Sequence, residues 1–537
     1  MKQLASTLDV GEFRQPKECY NVRAILSVYD KTDIDLLGRG LTEMGFEIYS
    51  TGGTARALHA AGVRVQSVSD LTGFPEILGG RVKTLHPAIY GGILARRHMP
   101  ADLDDLARHG LPLVDLVAVN LYPFAETVAQ PSISLEEALE QIDIGGPTLL
   151  RAAAKNFPAV APLCDPADYP LLLEELRKPG GPDQAFRRRL AGKAFRHTAV
   201  YDSTIAAYLG AEACWPEEMP LGLRKVQDLR YGENPHQQAA FYAPARPGQN
   251  PVGLVAARQL QGKELSYNNI LDADAAWAVA SDFHPITIAI VKHMNPCGLA
   301  WAEDPLTAYH LALDGDPRAA FGGIVAINTS VDHLLAQQLV QRFYEIVLAP
   351  DFSAEARQVL ASRPNLRVLK LPFCSVQGLT WRSVGGGLLA QQTDWVEPDE
   401  VRRGQVVTRR TPTEEEWAAL DFAWRAVRHV KSNAIVLVQN QEVSGSRSLA
   451  LVGMGAGQPS RVAAVELAVR QAGPRAKGAV LASDAFFPMP DGVETAAQAG
   501  VRAIVQPGGS QGDREVIAAA DAASMTMVFT GKRHFLH

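Results

Sequence analysis

Lys292 and His293 set an ammonium and an imidazole side by side. Such a pair can take a proton from a weak nucleophile and steady the negative charge that then develops. The two close an apolar run, residues 285–291, that reads as a buried strand. Met294-Asn295-Pro296-Cys297-Gly298 follows, and its Asn-Pro and Cys-Gly steps predict a sharp turn. Neighbouring side chains of a strand point to opposite faces, so both groups serve one site only if the turn begins here. On this segment alone, a satisfied strand-end histidine beside a solvated lysine is the commoner arrangement.

A second group of reactive residues lies far upstream. Ser50-Thr51-Gly52-Gly53-Thr54 joins a predicted strand to a predicted helix, and such a turn offers backbone N–H groups to a phosphate. Its spacing fits neither a P-loop nor the dinucleotide fingerprint, and helix capping accounts for it equally well. Ser27 and the Asp30-Lys31-Thr32 cluster end another strand. In the segment 79–87 an extended chain would carry Arg81 and Lys83 on one side, with Thr84 between them and His86. Asn120 and Tyr122 add an amide and a phenol after the run 113–120. Asp143 and Gly145 open a helix whose Arg151 and Lys155, spaced i, i+4, share a face. Polar clusters recurring at loop positions of one α/β domain point to an anionic ligand.

The second half of the chain holds Arg230-Tyr231, Asn269, Phe321-Gly322, Asn433, Arg461, Phe486, Asp491, Gly508-Gly509, Arg533 and His537, most of them in loop-like stretches. The glycines at 453–457 lack dinucleotide-motif spacing. A zinc deaminase is disfavoured, because Pro296-Cys297 has no second cysteine three positions on.

The elements that must position these groups are legible as alternating patterns. Strands at 22–28, 46–49 and 113–120 alternate with helices at 34–44, 54–61, 135–142 and 148–155, and a helix should begin near Asp272. That alternation predicts an α/β domain with a mainly parallel sheet. At 537 residues the chain exceeds one core. An arm at 1–20, a domain at 21–220 ending in a Pro- and Glu-rich linker, and a domain at 221–537 subdivided near 385–415 are expected. Net charge of −6, with both signs interspersed, argues against nucleic acid or membrane surfaces as partners. Cys19, Cys164, Cys214, Cys297 and Cys374 are odd in number and lack C-x-x-C spacing, as expected of a reduced, cytoplasmic protein with neither a disulfide framework nor a structural metal.

Taken in order, STGGTA, RVKTLHP, NLYPF, DIGG with LLRAAAKN, RYGENPHQ, KHMNPCG, GAGQPSR, SDAFFP and RHF resemble the bifunctional phosphoribosylaminoimidazolecarboxamide (AICAR) formyltransferase/IMP cyclohydrolase family, from about Val22 to His537. The resemblance implies a methylglyoxal-synthase-like, Rossmann-type N-terminal domain that closes formyl-AICAR to IMP. Lys155 would transfer the proton, assisted by Asp143, Lys83 and Tyr122. Ser27, Lys31, Ser50, Thr51, Gly52, Gly53 and Thr54 would hold the ribose phosphate. Arg81, Thr84, Asn120 and Gly145 would complete that substrate site. Asp33 stands where such proteins often carry glycine, so its carboxylate should face away from the phosphate.

The C-terminal half resembles a formyltransferase of two cytidine-deaminase-like subdomains without their zinc. It would move the formyl group of 10-formyltetrahydrofolate, the co-substrate, to the 5-amine of AICAR. His293 would be the base, Lys292 would stabilise the oxyanion or protonate the leaving nitrogen, and Asn433 would hold the formyl oxygen. Arg230, Tyr231, Asn269, Phe321, Gly322, Arg533 and His537 would bind nucleotide, and Arg461, Phe486, Asp491, Gly508 and Gly509 would face the folate. The resemblance further implies a homodimer with the transferase site at the interface. A nucleotide-binding regulator that has lost one or both activities is the alternative.

Overall fold

The computed structural model describes residues 21–130, 132–210, 215–245, 252–284, 286–373, 378–443 and 445–537. The arm at 1–20 lies outside them, as do Cys19, Cys214 and Cys374. The chain divides into two compact units, Met1–Arg224 with Tyr242–Asn250, and Lys225–Phe241 with Pro251–His537.

In the first unit, strands β1 (Val22–Val28), β2 (Phe46–Ser50), β3 (Gln66–Ser67), β4 (Leu116–Asn120) and β5 (Ala161–Leu163) lie in the order β3-β2-β1-β4-β5, and each pairs in parallel. The sequences VRAILSV and LVAVN are nearly continuous apolar runs, as a strand covered on both faces requires. Apolar clusters fill both faces, one around Val117, Leu149 and Ala153, the other around Leu26, Leu37 and Ile48. Helices α1 (Ile34–Glu43), α2 (Gly52–Ala60), α3 (Gly145–Lys155) and α4 (Gln184–Leu209) belong to this unit. The strand order reverses at β1, so a crevice opens beyond the carboxyl ends of β1, β2 and β4. Leu26 pairs with Ser50 and Val28 with Asn120, which brings these three strand ends to one edge.

A two-stranded ribbon, β6 (Leu223–Leu229) with β7 (Ala239–Pro244), precedes the second sheet. That sheet holds β8 (Arg258–Gln261), β9 (Ile286–Lys292), β10 (Asn295–Ala302), β11 (Ile324–Ile327), β12 (Ile346–Ala349) and β13 (Arg367–Lys370). A ribbon of β14 (Leu379–Val384) and β15 (Gly387–Gln392) stands apart. The sheet continues with β16 (Gln405–Val406), β17 (Ile435–Val443), β18 (Ser446–Gly455), β19 (Val480–Ser483), β20 (Ala503–Gln506) and β21 (Thr526–Phe529). Among the described residues it is 12-stranded, in the order β16-β21-β20-β19-β17-β18-β10-β9-β11-β12-β13-β8.

This order is a duplication. Each half runs helix, antiparallel hairpin, helix, then three parallel strands with helices between them. The first half is α5 (Tyr267–Ser281), β9-β10, α6 (Pro305–Gly315), β11, α7 (His333–Leu339), β12, α8 (Ala354–Leu360), β13. The second is α9 (Glu414–Val427), β17-β18, α10 (Arg461–Ala472), β19, α11 (Asp491–Gln498), β20, α12 (Asp513–Ala522), β21. Residues of α5 and α9 share one apolar cluster with both halves of the sheet, while the other face carries one cluster per half. The halves join where β10 meets β18 antiparallel, Ala300 opposite Ala450.

Two local expectations are corrected. The turn after β9 is made by His293 and Met294, both at positive φ (51° and 61°), and Asn295–Gly298 already belongs to β10. A two-residue hairpin of the type I′ kind needs left-handed geometry at both positions, and here non-glycine residues supply it. Helix α5 begins at Tyr267, not near Asp272, because Ser266 and Asn269 close a capping box that starts it one turn earlier.

Candidate active sites

The crevice of the first unit is a cleft of about 650 Å³. Its lining includes Ser27, Lys31, Thr51–Thr54, Arg81, Lys83, Thr84, Asn120, Tyr122, Asp143 and Gly145. Three of the predicted ligands turn out to hold the walls. Asn120 Oδ1 accepts from the Tyr29 and Asp30 amides at 2.6 and 2.8 Å, and its Nδ2 donates to the Asp30 carbonyl at 3.0 Å. Thr54 Oγ1 both accepts from the Val28 amide and donates to its carbonyl. Ser50 Oγ, fully buried, donates to the Leu26 carbonyl at 2.6 Å. These side chains fix the β1-to-α1 loop and the start of α2.

The open groups make a cradle for an anion. No side chain caps α2, so its first N–H groups face the cleft at the positive end of the helix. Cβ atoms added at Gly52 and Gly53 would lie 3.9 Å from Lys83 Nζ and 3.8 Å from an Arg56 nitrogen, so two cations stand over this turn. Lys31 donates to the Val28 and Tyr29 carbonyls, and burial holds its ammonium below the ordinary value. Opposite, Asp143 Oδ1 accepts from the Gly146 amide at 2.8 Å. Burial raises the Asp143 carboxyl, partly offset by backbone N–H groups and the charge of Lys83. Burial, and then the Asp143 charge, raise the Tyr122 phenol. Arg81 is exposed and paired with Glu140 in a non-extended turn, so the predicted alignment with Lys83 does not form.

Lys155 lies elsewhere. It is exposed at the carboxyl end of α3, roughly 15 Å along the helix from Gly145, and Arg151 stacks on Phe195. Asp33 has φ 53° at the start of α1, a conformation glycine enters freely, and it is not among the cleft residues.

In the second unit, strand direction gathers the site. Strands β9, β18, β19, β20 and β21 end at one sheet edge, where β10, β11 and β17 begin. Lys292, His293, Phe321-Gly322, Asn433, Arg461, Phe486 and Gly508-Gly509 all fall at that edge. Lys292 Nζ donates to the Phe321 carbonyl, and a Cβ on Gly322 would sit 3.5 Å from it. His293 is exposed. Asn295 Nδ2 donates to the His293 carbonyl at 2.9 Å. Burial holds the Lys431 ammonium below its ordinary value, and its Nζ donates to the His537 carbonyl, as does Arg382.

Asn433, joined to Ser432 by a cis peptide, donates to the Gln458 carbonyl through Nδ2 at 2.8 Å. Its Oδ1 accepts from Arg461 at 2.7 Å. Arg461 is itself buried and bonded to Asp484, Ser483 and Asn433, so it braces the edge instead of facing a ligand. Asn269 Oδ1 accepts from the Ser266 amide in the α5 cap at 3.2 Å. Phe486 is exposed, Asp491 opens α11, and Gly509 donates to Asp513. Arg230 stacks on Tyr231 and Arg533 on Phe535. The thiol of Cys297 is buried and pushed up to about 12, a poor nucleophile.

A model of the AICARFT/IMPCHase bienzyme family matches residues 153–471, more than half of the chain, and one of the MGS-like domain matches 34–148. The chain is 52% identical over 520 residues to the bifunctional purine biosynthesis protein PurH of Anoxybacillus flavithermus, covering 96% of this chain and 99% of that protein. The protein of the same name from Chloroflexus aurantiacus is 53% identical over 525 residues, with the same coverage. This chain belongs to the AICARFT/IMPCHase bienzyme family.

Two residues that organise the second site of this bienzyme escape a reading of the sequence. Asn268 Nδ2 donates to the Glu233 carbonyl at 3.2 Å, and Asp272 Oδ1 accepts from the Met294 amide at 2.8 Å. Spaced i, i+4 on α5, they tie the Arg230 loop and the His293 turn to one helix face. Helical periodicity across 268–272 was the available signal, obscured by the later helix start.

Proposed function

We infer that this chain is a bifunctional enzyme that transfers a formyl group to AICAR and then closes formyl-AICAR to IMP with loss of water. The observation that carries this reading is the pair of separate constellations: a cation-ringed cleft with a buried carboxyl, and a strand end presenting Lys292 and His293, within one bienzyme chain.

Transfer takes place in the second unit. The 5-amine of AICAR is conjugated to its carboxamide and needs a base as it attacks the formyl carbon. His293 accepts that proton. Lys292, held at the Phe321 carbonyl, offsets the charge on the tetrahedral oxygen. Collapse of that intermediate breaks the bond from the formyl carbon to N10, and Lys292 protonates the leaving nitrogen. Asn433 keeps one N–H beyond its bond to Gln458 and directs it to the formyl oxygen. The formyl donor is 10-formyltetrahydrofolate, seated toward Phe486, Asp491 and Gly508-Gly509. Arg230, Tyr231 and Arg533 hold the nucleotide.

Closure takes place in the first unit. The ribose phosphate lies on Gly52-Gly53 beneath Lys83, Arg56 and Lys31. Asp143 takes the carboxamide proton as nitrogen attacks the formyl carbon. Tyr122, kept protonated by its raised pKa, donates to the departing hydroxide. Lys83, not Lys155, is the ammonium within reach of the reacting atoms.

A homodimer is part of the proposal. The β14–β15 ribbon exposes Trp381 and Leu388 on one face and Val384 and Leu389 on the other, apolar side chains suited to contact with a second copy. No described helix is long and apolar enough to cross a membrane, and the buried, unpaired thiols of Cys164 and Cys297 suit the cytoplasm. The deciding test is a steady-state assay. Formation of IMP from AICAR and 10-formyltetrahydrofolate is expected, and its absence would leave only a nucleotide-binding regulator.

A further inference from the structure

The last residues, 530–537, form an irregular tail that crosses the site edge of the second sheet. Arg533 lies against the Phe535 ring, 4.7 Å from its centroid. His534 between them is buried (2% exposed), with its ring inside the protein. Nδ1 of that ring lies 2.8 Å from Asp394 Oδ2, and Nε2 lies 3.0 Å from Glu400 Oε1. An ionised carboxylate only accepts hydrogen bonds, so both ring nitrogens must carry protons. The ring is therefore an imidazolium held between two acids.

The remaining neighbours reinforce the clamp. Trp424 donates to the same Glu400 oxygen at 2.9 Å and meets the imidazole edge-on. Lys532 bridges Glu397 and Glu400, and Arg403 pairs with Glu397. Arg428 donates to the Asp394 carbonyl and pairs with Asp282 beside His429. The His534 amide donates to the Asp484 carbonyl at 3.1 Å, and Ser432 donates to the Leu536 carbonyl at 2.9 Å.

We propose that His534 is a positioning residue for formyl transfer: its ring, pinned between Asp394 and Glu400, fixes the tail so that Arg533 and Phe535 face the nucleotide. The proposal rests on the transferase function assigned above to this unit. His534 itself touches no substrate. Arg533 and Phe535, on either side of it, are less buried than His534 and are the residues that would reach the nucleotide. The charge of the ring matters as much as its shape. A neutral imidazole can donate to one carboxylate only, leaving the other, buried Glu400 or exposed Asp394, facing a lone pair.

The test uses the full chain and two readouts. Nitrogen-15 spectra of the histidine rings should show both His534 nitrogens protonated from mildly acidic to mildly alkaline pH. A single neutral tautomer at neutral pH in an active wild type would overturn this proposal alone. His534→Ala and the milder His534→Gln should raise KM for AICAR about tenfold or more while kcat stays within about threefold. Cyclisation of supplied formyl-AICAR, in the other unit, should be unchanged in both, and the retained kcat for transfer reports that the second unit itself has folded. An unmoved KM in both variants, or equal loss of both reactions, would refute the positioning role. A wild type that takes no AICAR would overturn the transferase reading and this role together.

Discussion

Asp143, the base proposed for ring closure, would serve chemistry at the expense of stability. Its carboxyl is raised above the ordinary value of 3.8 by burial. The folded chain therefore holds that proton more tightly than the unfolded chain, and stability falls as pH rises from the unfolded pKa through the folded one. Asp143→Asn should leave Tm at neutral pH unchanged or higher, while kcat for ring closure falls at least 100-fold, as expected for a lost general base of about that strength. A variant both inactive and less stable would contradict this. Lys83 and Lys155 separate geometry from resemblance. Lys83→Met should lower kcat for closure by about two orders of magnitude, and Lys155→Ala by less than tenfold; comparable losses in single-turnover assays would return Lys155 to the reaction. At this scale the sequence was informative about residue types and less so about their partners. Asn120, Thr54 and Arg461 look like ligands in a list of polar residues. Only the fold shows their bonding capacity already used on Asp30, Val28 and Asp484.

Among the elements, the parallel strands were legible because burial on both faces demands an unbroken apolar run, as in residues 22–28. Helix starts were less so. A capping box moved α5 to Tyr267, and with it the Asn268–Asp272 pair that carries the His293 turn. Asp272→Ala should free the Met294 amide, costing about 1–2 kcal/mol, and should impair formyl transfer more than cyclisation. Hydrogen exchange at Met294 would reveal the loosening, and unchanged exchange would refute it. The hairpin itself depends on Gly298. A Cβ there would come within 2.0 Å of the Ala312 carbonyl on α6. Gly298→Ala should therefore destabilise the second unit by several kcal/mol, on the order of other overpacked cores, as read by denaturant unfolding.

For the molecule as a whole, the two proposed active centres occupy different units with different sheets. His293→Ala should abolish formyl transfer while supplied formyl-AICAR still closes, and Lys83→Met should do the opposite; equal loss of both in either variant would show that the reactions are not separable. No composition or periodicity signal reveals the duplication in the second unit, because its halves share an order of elements and not a sequence repeat. The duplication also places the halves head to tail. The parallel strands of one half end at the edge where those of the other begin, and Lys292, His293, Asn433, Arg461 and Gly508-Gly509 lie at one of these edges. The opposite edge is therefore vacant ground for protein engineering. The β17–β18 turn lies there, and Gly445 at its tip (φ 81°) has open space around it. A short epitope or fluorophore-binding peptide grafted at Gly445 should be carried without loss of either reaction, making this enzyme a scaffold whose reporter end and working end are a full strand length apart.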